Sequence, residues 1–284
     1  MGTDLHVHTT ASDGTLSPAQ CIELAVSLDL EAISITDHDT IGGIEEAFRE
    51  AVKYPDFTFV PGIEISTDYF DTEVHVLGYY IDYKNKIFRD FLHEMMLERE
   101  DRCKKIIKKL NSIGINVFYE DLKNNIKSSI IGRPHIAQLI VKSGYEKNIQ
   151  DAFAKYLVKG RPAYVPRKKI SPGQAIEIVS LAGGVPVLAH PFFLGDKKQI
   201  INILEQGFIG VEVEYPGQPQ KFKEWLYLEA DRIGLVTTGG SDFHGDFKET
   251  QLGESTVKFS IVKELMERAF TQRGILNSSV KAKL

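Results

Sequence analysis

The chain has 284 residues, of which 43% are hydrophobic and 26% are charged. A chain of this kind can bury a large core, and it suits one large α/β domain or one domain with an insertion. Its formal net charge of -5 argues against sequence-independent binding of nucleic acid, because that binding relies on many Lys and Arg side chains. The charge does not exclude a phosphate substrate, since bound divalent ions reverse the potential of an acidic cleft.

The first residues, the longest apolar runs and the number of cysteines bear on the location of the protein and on its metal chemistry. The stretch MGTDLHVHTT has no basic region followed by an apolar run, and no stretch of the sequence approaches the ~18 apolar residues of a membrane span. We therefore expect a cytoplasmic location without membrane association. Cys21 and Cys103 are too few for a disulfide framework or a thiolate metal site, so any metal ion is expected to have nitrogen and oxygen ligands. No obligate protein partner is evident, and the oligomeric state is left open.

The chain opens with alternating strands and helices. DLHVH predicts a strand, and the helix after it has Ser17 as N-cap, Pro18 at its first position and Gln20 in capping-box register. EAISIT predicts a second strand and TIGGIEEAFREAVK a second helix. FTFVPGIEIS and EVHVLGYYI predict two more strands, joined by a turn at TDYFDT.

Residues 85–165 have a different character. Apolar residues keep helical spacing through IFRDFLHEMMLEREDRCKKIIKKLNSIG, and GRPHIAQLIVKSG and IQDAFAKYLVKG are also helical. We predict that this segment is a helical insertion that caps the substrate, between a first barrel part at 1–84 and a second at 166–284. In the second part, Ser171 repeats the capping pattern, and strands at VPVLAH, FIGVEVEY and GLVTTGGSDFHG alternate with helices.

Repeated βα units with apolar strands predict an α/β fold with a parallel sheet, and their number favours a closed barrel. The carboxyl ends of such strands converge on one face. Six of the eight histidines and three acids lie within or just after predicted strands: His6, His8, His38, His75, His190 and His244, with Asp13, Glu64 and Asp242. One such histidine is usually an ordinary hydrogen-bonded residue, but burying nine titratable groups without partners is costly. A polynuclear metal site accounts for all nine.

The other two histidines are outside this set. His93 lies on the long charged helix and is expected to be solvated. His135, in IGRPHIA, follows Pro134 at a predicted helix N-terminus and is close to Arg133. Free N–H groups and an Arg side chain there can form an anion site, and an ordinary helix start is equally consistent with the pattern.

Taken in order, DLHVHTTASDG, ITDHD, PGIEIS, VHVLGY, AHP and GGSDFHG resemble the metal-binding motifs of the PHP (polymerase and histidinol phosphatase) superfamily. With GRPHIA and the insertion, the chain is similar to the PHP metal-dependent phosphoesterases that act on nucleoside 3',5'-bisphosphates and on short RNA from the 5' end. The resemblance implies a distorted (β/α)7 TIM-like barrel with up to three metal ions.

The resemblance also implies a role for each matched residue. His6, His8 and Asp242 would bind the first ion, and Glu64 would bridge it to the second. The second and third ions would be completed by two further sets, His75 with His190, and Asp13 with His38 and His244. Arg133 and His135 would reach in from the insertion to hold substrate phosphate. Asp4 shares the face of His6 and His8, and we expect it to orient an imidazole rather than to bind metal.

The ligand types indicate the chemistry. Imidazole and carboxylate without thiolate suit two to three Mn²⁺, Fe²⁺ or Zn²⁺ ions. Two ions that share Glu64 would supply a bridging hydroxide to attack phosphorus, while Arg133 helps to neutralise the phosphoryl oxygens. The leaving oxygen needs a proton or a metal ion. His38, His135 and the third ion are the candidates, and the sequence leaves the choice open.

We therefore expect a metal-dependent phosphoesterase that hydrolyses nucleoside 3',5'-bisphosphates, short 5'-phosphorylated RNA, or both. A histidinol-phosphatase-like enzyme would use the same ligands, but GRPHIA and the insertion speak against it. A non-catalytic PHP module would bind metal without turnover. Amide hydrolysis by a binuclear barrel is a further alternative, although such enzymes typically offer a carboxylated Lys where this chain has Glu64.

Overall fold

The structure is a computed structural model that describes residues 2–70, 72–125, 131–166, 168 and 170–281. Seven strands form one sheet in which each strand pairs with the next in chain order. The strands are β1 (Thr3–Val7), β2 (Ala32–Ile35), β3 (Thr58–Tyr69), β4 (Thr72–Tyr79), β5 (Val185–Leu188), β6 (Gly210–Glu214) and β7 (Val236–Gly239).

Helices connect most of these strands and fill the interval between β4 and β5. They are α1 (Pro18–Ser27), α2 (Ile44–Ala51), α3 (Lys86–Ser112), α4 (Tyr119–Asn125), α5 (Arg133–Lys142), α6 (Ile149–Ala152), α7 (Pro172–Leu181), α8 (Lys197–Leu204), α9 (Gln220–Ile233) and α10 (Phe259–Lys281). A π-helical turn follows α6, and short 3₁₀ turns follow β5 and β7. Among the described residues, no helix combines the length and apolar character needed to cross a membrane.

The two ends of the sheet meet. Val7 and Phe243 form a parallel bridge, and the N–H of His8 donates to the carbonyl of Phe243 at 2.9 Å. Thr3 of β1 also forms an antiparallel bridge with Val257, which follows β7. The first strand therefore lies beside the segment that follows β7, and the predicted distorted TIM-like α/β barrel is confirmed.

One strand departs from the predicted parallel sheet. β4 runs antiparallel to both β3 and β5, whereas every other pair is parallel. The reason is local, because β3 and β4 are joined by the short turn that the sequence predicts, and a tight hairpin reverses the chain without a crossover helix. His75 consequently lies in the middle of a strand, opposite Ser66, and not at a carboxyl end.

The capping signals read from the sequence are confirmed. Ser17 accepts a hydrogen bond from the N–H of Gln20, whose side chain accepts one from the N–H of Ser17. Ser171 and Gln174 form the same reciprocal pair at α7. Each box satisfies two of the donors that a helix start leaves open, so the start of α1 is fixed directly after the loop that carries Asp13.

Apolar side chains pack in separate groups around the sheet and in the helical segment. Leu5, Val60, Val187 and Val236 are among the side chains buried between the strands and α10. The helices between β4 and β5 bury a group of their own, including Ile106, Leu110, Ile136, Ile140 and Leu157. The boundaries of the predicted insertion, residues 85–165, stay a prediction.

Candidate metal centre

Six members of the polar cluster lie in or just after strands β1, β2, β3 and β7, at one end of the barrel. His6 lies in β1 and His8 directly follows that strand. His38 comes three residues after β2 and forms a parallel bridge with Glu64 of β3. Asp242 and His244 follow β7. Backbone hydrogen bonds therefore fix the positions of these side chains relative to one another.

The candidate ligands form three overlapping sets. Within each set, the ligand atoms lie within 4.8 Å of one another. The sets are His6, His8, Glu64 and Asp242; His8, Asp13, His38 and His244; and His38, Glu64 and His75. His190 adjoins the third set, because its Nε2 lies 3.0 Å from Oε1 of Glu64. The nine residues selected from the sequence thus lie together, which suits metal binding.

Glu64 is at the centre of this cluster and is 1% exposed. Its Oε1 lies 2.8 Å from Nδ1 of His75 and 3.0 Å from Nε2 of His190. Its Oε2 lies 3.1 Å from Nε2 of His8 and 3.1 Å from Nδ1 of His38. Each carboxylate oxygen therefore faces a different group of imidazoles, which is the arrangement that a bridging ligand needs.

Four buried polar atoms of the cluster make no hydrogen bond to the described residues, although two of them, Nδ1 of His38 and Oε2 of Glu64, lie 3.1 Å apart. The four are Nδ1 of His8, Oδ1 of Asp13, Nδ1 of His38 and Oε2 of Glu64. An unpaired buried polar atom costs about 1 to 3 kcal/mol, so such atoms are rare without a reason. All four belong to the three sets. Nitrogen and oxygen donors of this kind fit Mn²⁺, Fe²⁺ or Zn²⁺, which would satisfy them.

The protonation states of several ligands also suit a metal ion. Burial opposes ionisation of Glu64, but the charges of His38 and His75 hold its pKa well below its usual value. Burial lowers the pKa of His38 to about 4 and that of His244 to about 3, which leaves each imidazole with a free lone pair at neutral pH.

His75 differs, because Glu64 and Glu73 outweigh the effect of burial and raise its pKa to about 10. Neighbouring carboxylates likewise raise the pKa of His8 to about 9 and that of His6 well above its usual value. Metal binding at any of these three imidazoles would release a proton.

Glu212 supports the cluster and was not selected from the sequence. It is fully buried, its Oε1 accepts a hydrogen bond from Nδ1 of His6 at 2.9 Å, and its Oε2 accepts one from the N–H of His190 at 2.8 Å. The first bond directs Nε2 of His6 towards the other ligands. An acidic residue in the interior register of the apolar strand FIGVEVEY was the signal that could have identified it.

The expected role of Asp4 is wrong. Its carboxylate accepts hydrogen bonds from the N–H and hydroxyl of Ser241 and from the N–H groups of Gly253 and His6. None of these donors is an imidazole, so Asp4 ties β1 to the segment after β7. A nearby carboxylate, Asp37, has a similar task, since it accepts from the N–H of Thr9 and fixes the loop that leads to Asp13.

The two carboxylate oxygens of Asp242 contact different groups: one faces the histidines of the cluster, and the other faces side chains at the outer edge of the cluster, here called the rim. Oδ1 lies 3.2 Å from Nε2 of His8. Oδ2 accepts hydrogen bonds from the hydroxyl of Tyr215, at 2.8 Å, and from the ammonium group of Lys248. The outer oxygen is therefore held by two rim residues, and the inner oxygen is directed at the imidazoles.

The two residues selected from GRPHIA occupy different surroundings. Arg133 Nη2 lies 3.4 Å from Oε2 of Glu73, whose other oxygen lies 3.3 Å from Nε2 of His75, so Arg133 reaches the rim. His135 is only 6% exposed, and its Nδ1 accepts a hydrogen bond from the N–H of Gly132 at 3.1 Å. Its ring also bonds to the backbone of Ser12, and burial lowers its pKa. His93 is exposed on α3, as expected.

The PHP domain family matches residues 4–164. This chain belongs to that family. Its relatives include the 5'-3' exoribonuclease Rnm of Escherichia coli (strain K12), which is 32% identical over 257 residues and is matched over 88% of this chain and 87% of the relative. The 3',5'-nucleoside bisphosphate phosphatase of Chromobacterium violaceum is 32% identical over 247 residues, covering 85% of this chain and 86% of that protein.

A solved structure agrees with this assignment. The crystal structure of a protein assigned as a metal-dependent phosphoesterase from Bifidobacterium adolescentis superposes with a TM-score of 0.86 at 32% identity, over 94% of this chain and 96% of that one. With these relatives, the expectation of a PHP enzyme that hydrolyses phosphate esters is confirmed.

Proposed function

We propose that this PHP protein hydrolyses phosphate esters of nucleotides, either nucleoside 3',5'-bisphosphates or short 5'-phosphorylated RNA, with two to three Mn²⁺, Fe²⁺ or Zn²⁺ ions. The observation that carries the proposal is the convergence of four unpartnered buried atoms within three overlapping sets of ligands. The printed names of the relatives, an exoribonuclease and a nucleoside bisphosphate phosphatase, support the substrate class.

The ligand roles follow from the grouping of side chains. The set of His6, His8, Glu64 and Asp242 would hold one ion, and the two faces of Glu64 support a bridging role. The remaining ions would use two further groups: His75 with His190 and Glu64, and Asp13 with His38 and His244. Divalent ions bound at such a centre would supply a hydroxide at neutral pH and stabilise charge on the attacking and leaving oxygens.

Arg133 is the proposed phosphate contact from the helical segment. Its guanidinium group is at the rim, where Glu73 links it to His75. A guanidinium group can bind two phosphate oxygens at once, so it would orient the substrate and stabilise the charge that develops on phosphorus substituents. The proposed capping role of residues 85–165 rests on this approach of α5 to the cluster.

The two histidines considered as general acids receive unequal support. Burial holds the pKa of His38 near 4, so the imidazole is neutral at neutral pH and is a poor general acid, which favours a ligand role. His135 also has a lowered pKa, and its ring is bonded to Gly132 and to Ser12. We propose that His135 positions the turn that carries Arg133, and that neither side chain needs to protonate the leaving group.

The test is phosphate release from adenosine 3',5'-bisphosphate by protein reconstituted with Mn²⁺, Fe²⁺ or Zn²⁺. We expect turnover that is lost in His8→Ala and in Asp242→Ala and is kept in His93→Ala, which removes an exposed histidine. Normal turnover in either of the first two variants would refute the proposal. Parallel assays with 5'-phosphorylated oligoribonucleotides and histidinol phosphate identify the preferred substrate, and metal binding without any turnover would indicate a non-catalytic module.

A further inference from the structure

An exposed aromatic ring lies beside the candidate metal centre and has no role in the arrangement described so far. Phe193 belongs to the 3₁₀ turn Pro191–Leu194, which directly follows His190. Its side chain is 65% exposed. A single exposed apolar ring is common on protein surfaces, so the position of this ring beside a polar cluster is the feature that calls for an explanation.

The neighbours of Phe193 fix its position relative to the cluster. Its ring centroid lies 5.6 Å from that of His190 and 5.5 Å from that of Tyr215. The hydroxyl of Tyr215 in turn donates to Asp242. Phe193 therefore contacts one candidate ligand directly and a second through one intervening side chain.

The ring geometry leaves a surface for stacking. The plane of Phe193 makes an angle of 64° with His190 and 89° with Tyr215, so neither of these rings is stacked on it. Phe192, the third neighbour, is tilted by 59°. Together with the 65% exposure of the side chain, these angles mean that a flat group can be placed against the phenyl face.

Exposure alone does not single out this residue. Phe48, Phe70, Phe118 and Phe270 are also at least half exposed. Phe193 is distinguished by its location, because its ring contacts the candidate metal ligand His190. Its location and not its exposure therefore suggests a role in substrate binding.

We propose that Phe193 forms a base-stacking subsite for the nucleotide whose phosphate is bound at the metal centre. This inference rests on the proposed function. A nucleobase offers a flat π face, and stacking on an aromatic side chain contributes about 1 to 3 kcal/mol per base. A phenyl ring has no hydrogen-bonding group, so the subsite accepts purines and pyrimidines alike and distinguishes nucleotides from phosphate esters that lack a base.

The experiment compares a nucleotide with its abasic analogue. Adenosine 3',5'-bisphosphate and 1,2-dideoxyribose 3,5-bisphosphate are assayed with wild-type protein, Phe193→Ala, Phe193→Tyr and, as a matched exposed control, Phe48→Ala. The measured quantity is the kcat/KM of the nucleotide divided by the kcat/KM of the abasic analogue. In Phe193→Ala, we expect this ratio to fall about 10-fold, within the range for one stacked base. Phe193→Tyr keeps the ring and should keep the ratio, as should Phe48→Ala.

A binding measurement separates this inference from the proposed function. Calorimetry with the metal-loaded protein compares adenosine 5'-monophosphate with inorganic phosphate, and only the nucleotide should bind more weakly in Phe193→Ala. An unchanged preference for the nucleotide would overturn the subsite whether or not the protein turns over any substrate. Turnover absent from the wild type, with the binding difference present, would refute the proposed reaction and leave the subsite standing.

Discussion

Nδ1 of His6 donates a hydrogen bond of 2.9 Å to Glu212, and both side chains are completely buried in the barrel. The same carboxylate accepts a hydrogen bond from the N–H of His190, so one acid orients a residue of β1 and a residue that follows β5. A carboxylate behind a metal-binding imidazole fixes the ring and raises its basicity. Glu212 therefore belongs to the candidate metal centre, although both of its oxygens accept hydrogen bonds from protein groups.

Glu212→Gln tests this relationship. The amide can accept the bond from His6 with its oxygen, but its nitrogen then faces the N–H of His190, so one bond is lost. We expect metal affinity to fall about 10- to 100-fold, the usual effect of such changes behind a ligand. Competition with a chromogenic chelator measures this directly. Glu214→Gln is the control, because Glu214 lies on the same strand as Glu212 but bonds to Lys223 and Tyr227 of α9. Equal affinities in the two variants would contradict the assignment.

Removal of metal should destabilise the fold. Four buried atoms of His8, Asp13, His38 and Glu64 that make no hydrogen bond would lose their metal ion. An ion present at 100 times its Kd stabilises a protein by about 2.7 kcal/mol per site. Calorimetric scans of metal-loaded and chelated protein should therefore show a lower Tm after chelation. The difference should shrink in Asp242→Ala. Identical melting of the loaded and chelated wild type would argue against a buried centre.

The contact that closes the barrel depends on Gly240. A Cβ atom there would lie 2.4 Å from both the backbone nitrogen and the Cβ of His6, closer than real atoms approach. We expect Gly240→Ala to separate β1 from the segment after β7 and to reduce stability by about 1 to 3 kcal/mol, as overpacking does. Urea unfolding measures the change. Gly173→Ala is the control, since its nearest neighbours would lie 3.8 Å away, and equal stability of both variants would show that the strands are farther apart.

An ion pair joins the helical segment to the barrel. Arg99 of α3 binds the carboxylate of Asp39, which is completely buried, and donates to the hydroxyl of Ser66 at 3.0 Å. Arg99→Ala leaves a buried charge without its partner, and we expect a loss of about 3 kcal/mol in the free energy of unfolding. Lys86→Ala on the same helix breaks the exposed pair with Asp90 and should cost at most about 1 kcal/mol. Similar losses in chemical denaturation of the two variants would contradict this contact.

Much of the fold was predictable because local signals agree with the final structure. The capping residues Ser17 and Ser171 and the apolar strands determine where helices and strands begin. The antiparallel course of β4 was not predicted, because a buried apolar strand has the same composition in either direction. Only the short connection after Tyr69 carried that information, since a parallel neighbour would have required a crossover.

The grouping of the candidate ligands was predictable from their residue types within or just after strands, whereas the residues that orient those ligands were not. Glu212 and Asp4 are both acids on strands, and the sequence does not say which one faces an imidazole. The structure decides, because β6 turns Glu212 towards His6 while the carboxylate of Asp4 faces Ser241 and Gly253. The contacts of His6 with Glu212 and of Asp4 with Ser241 join residues more than two hundred positions apart. Such contacts depend on how the barrel closes, and a local sequence pattern does not determine them.

The most direct test of the proposed metal-dependent hydrolysis is the turnover of adenosine 3',5'-bisphosphate by chelated protein before and after metal is restored, in the wild type, Glu64→Gln and Glu214→Gln. We expect phosphate release only after metal addition. Loss of the proposed bridging carboxylate should reduce the restored rate by at least about 100-fold, while Glu214→Gln retains it. Turnover without metal, or a fully active Glu64→Gln, would contradict the central claim.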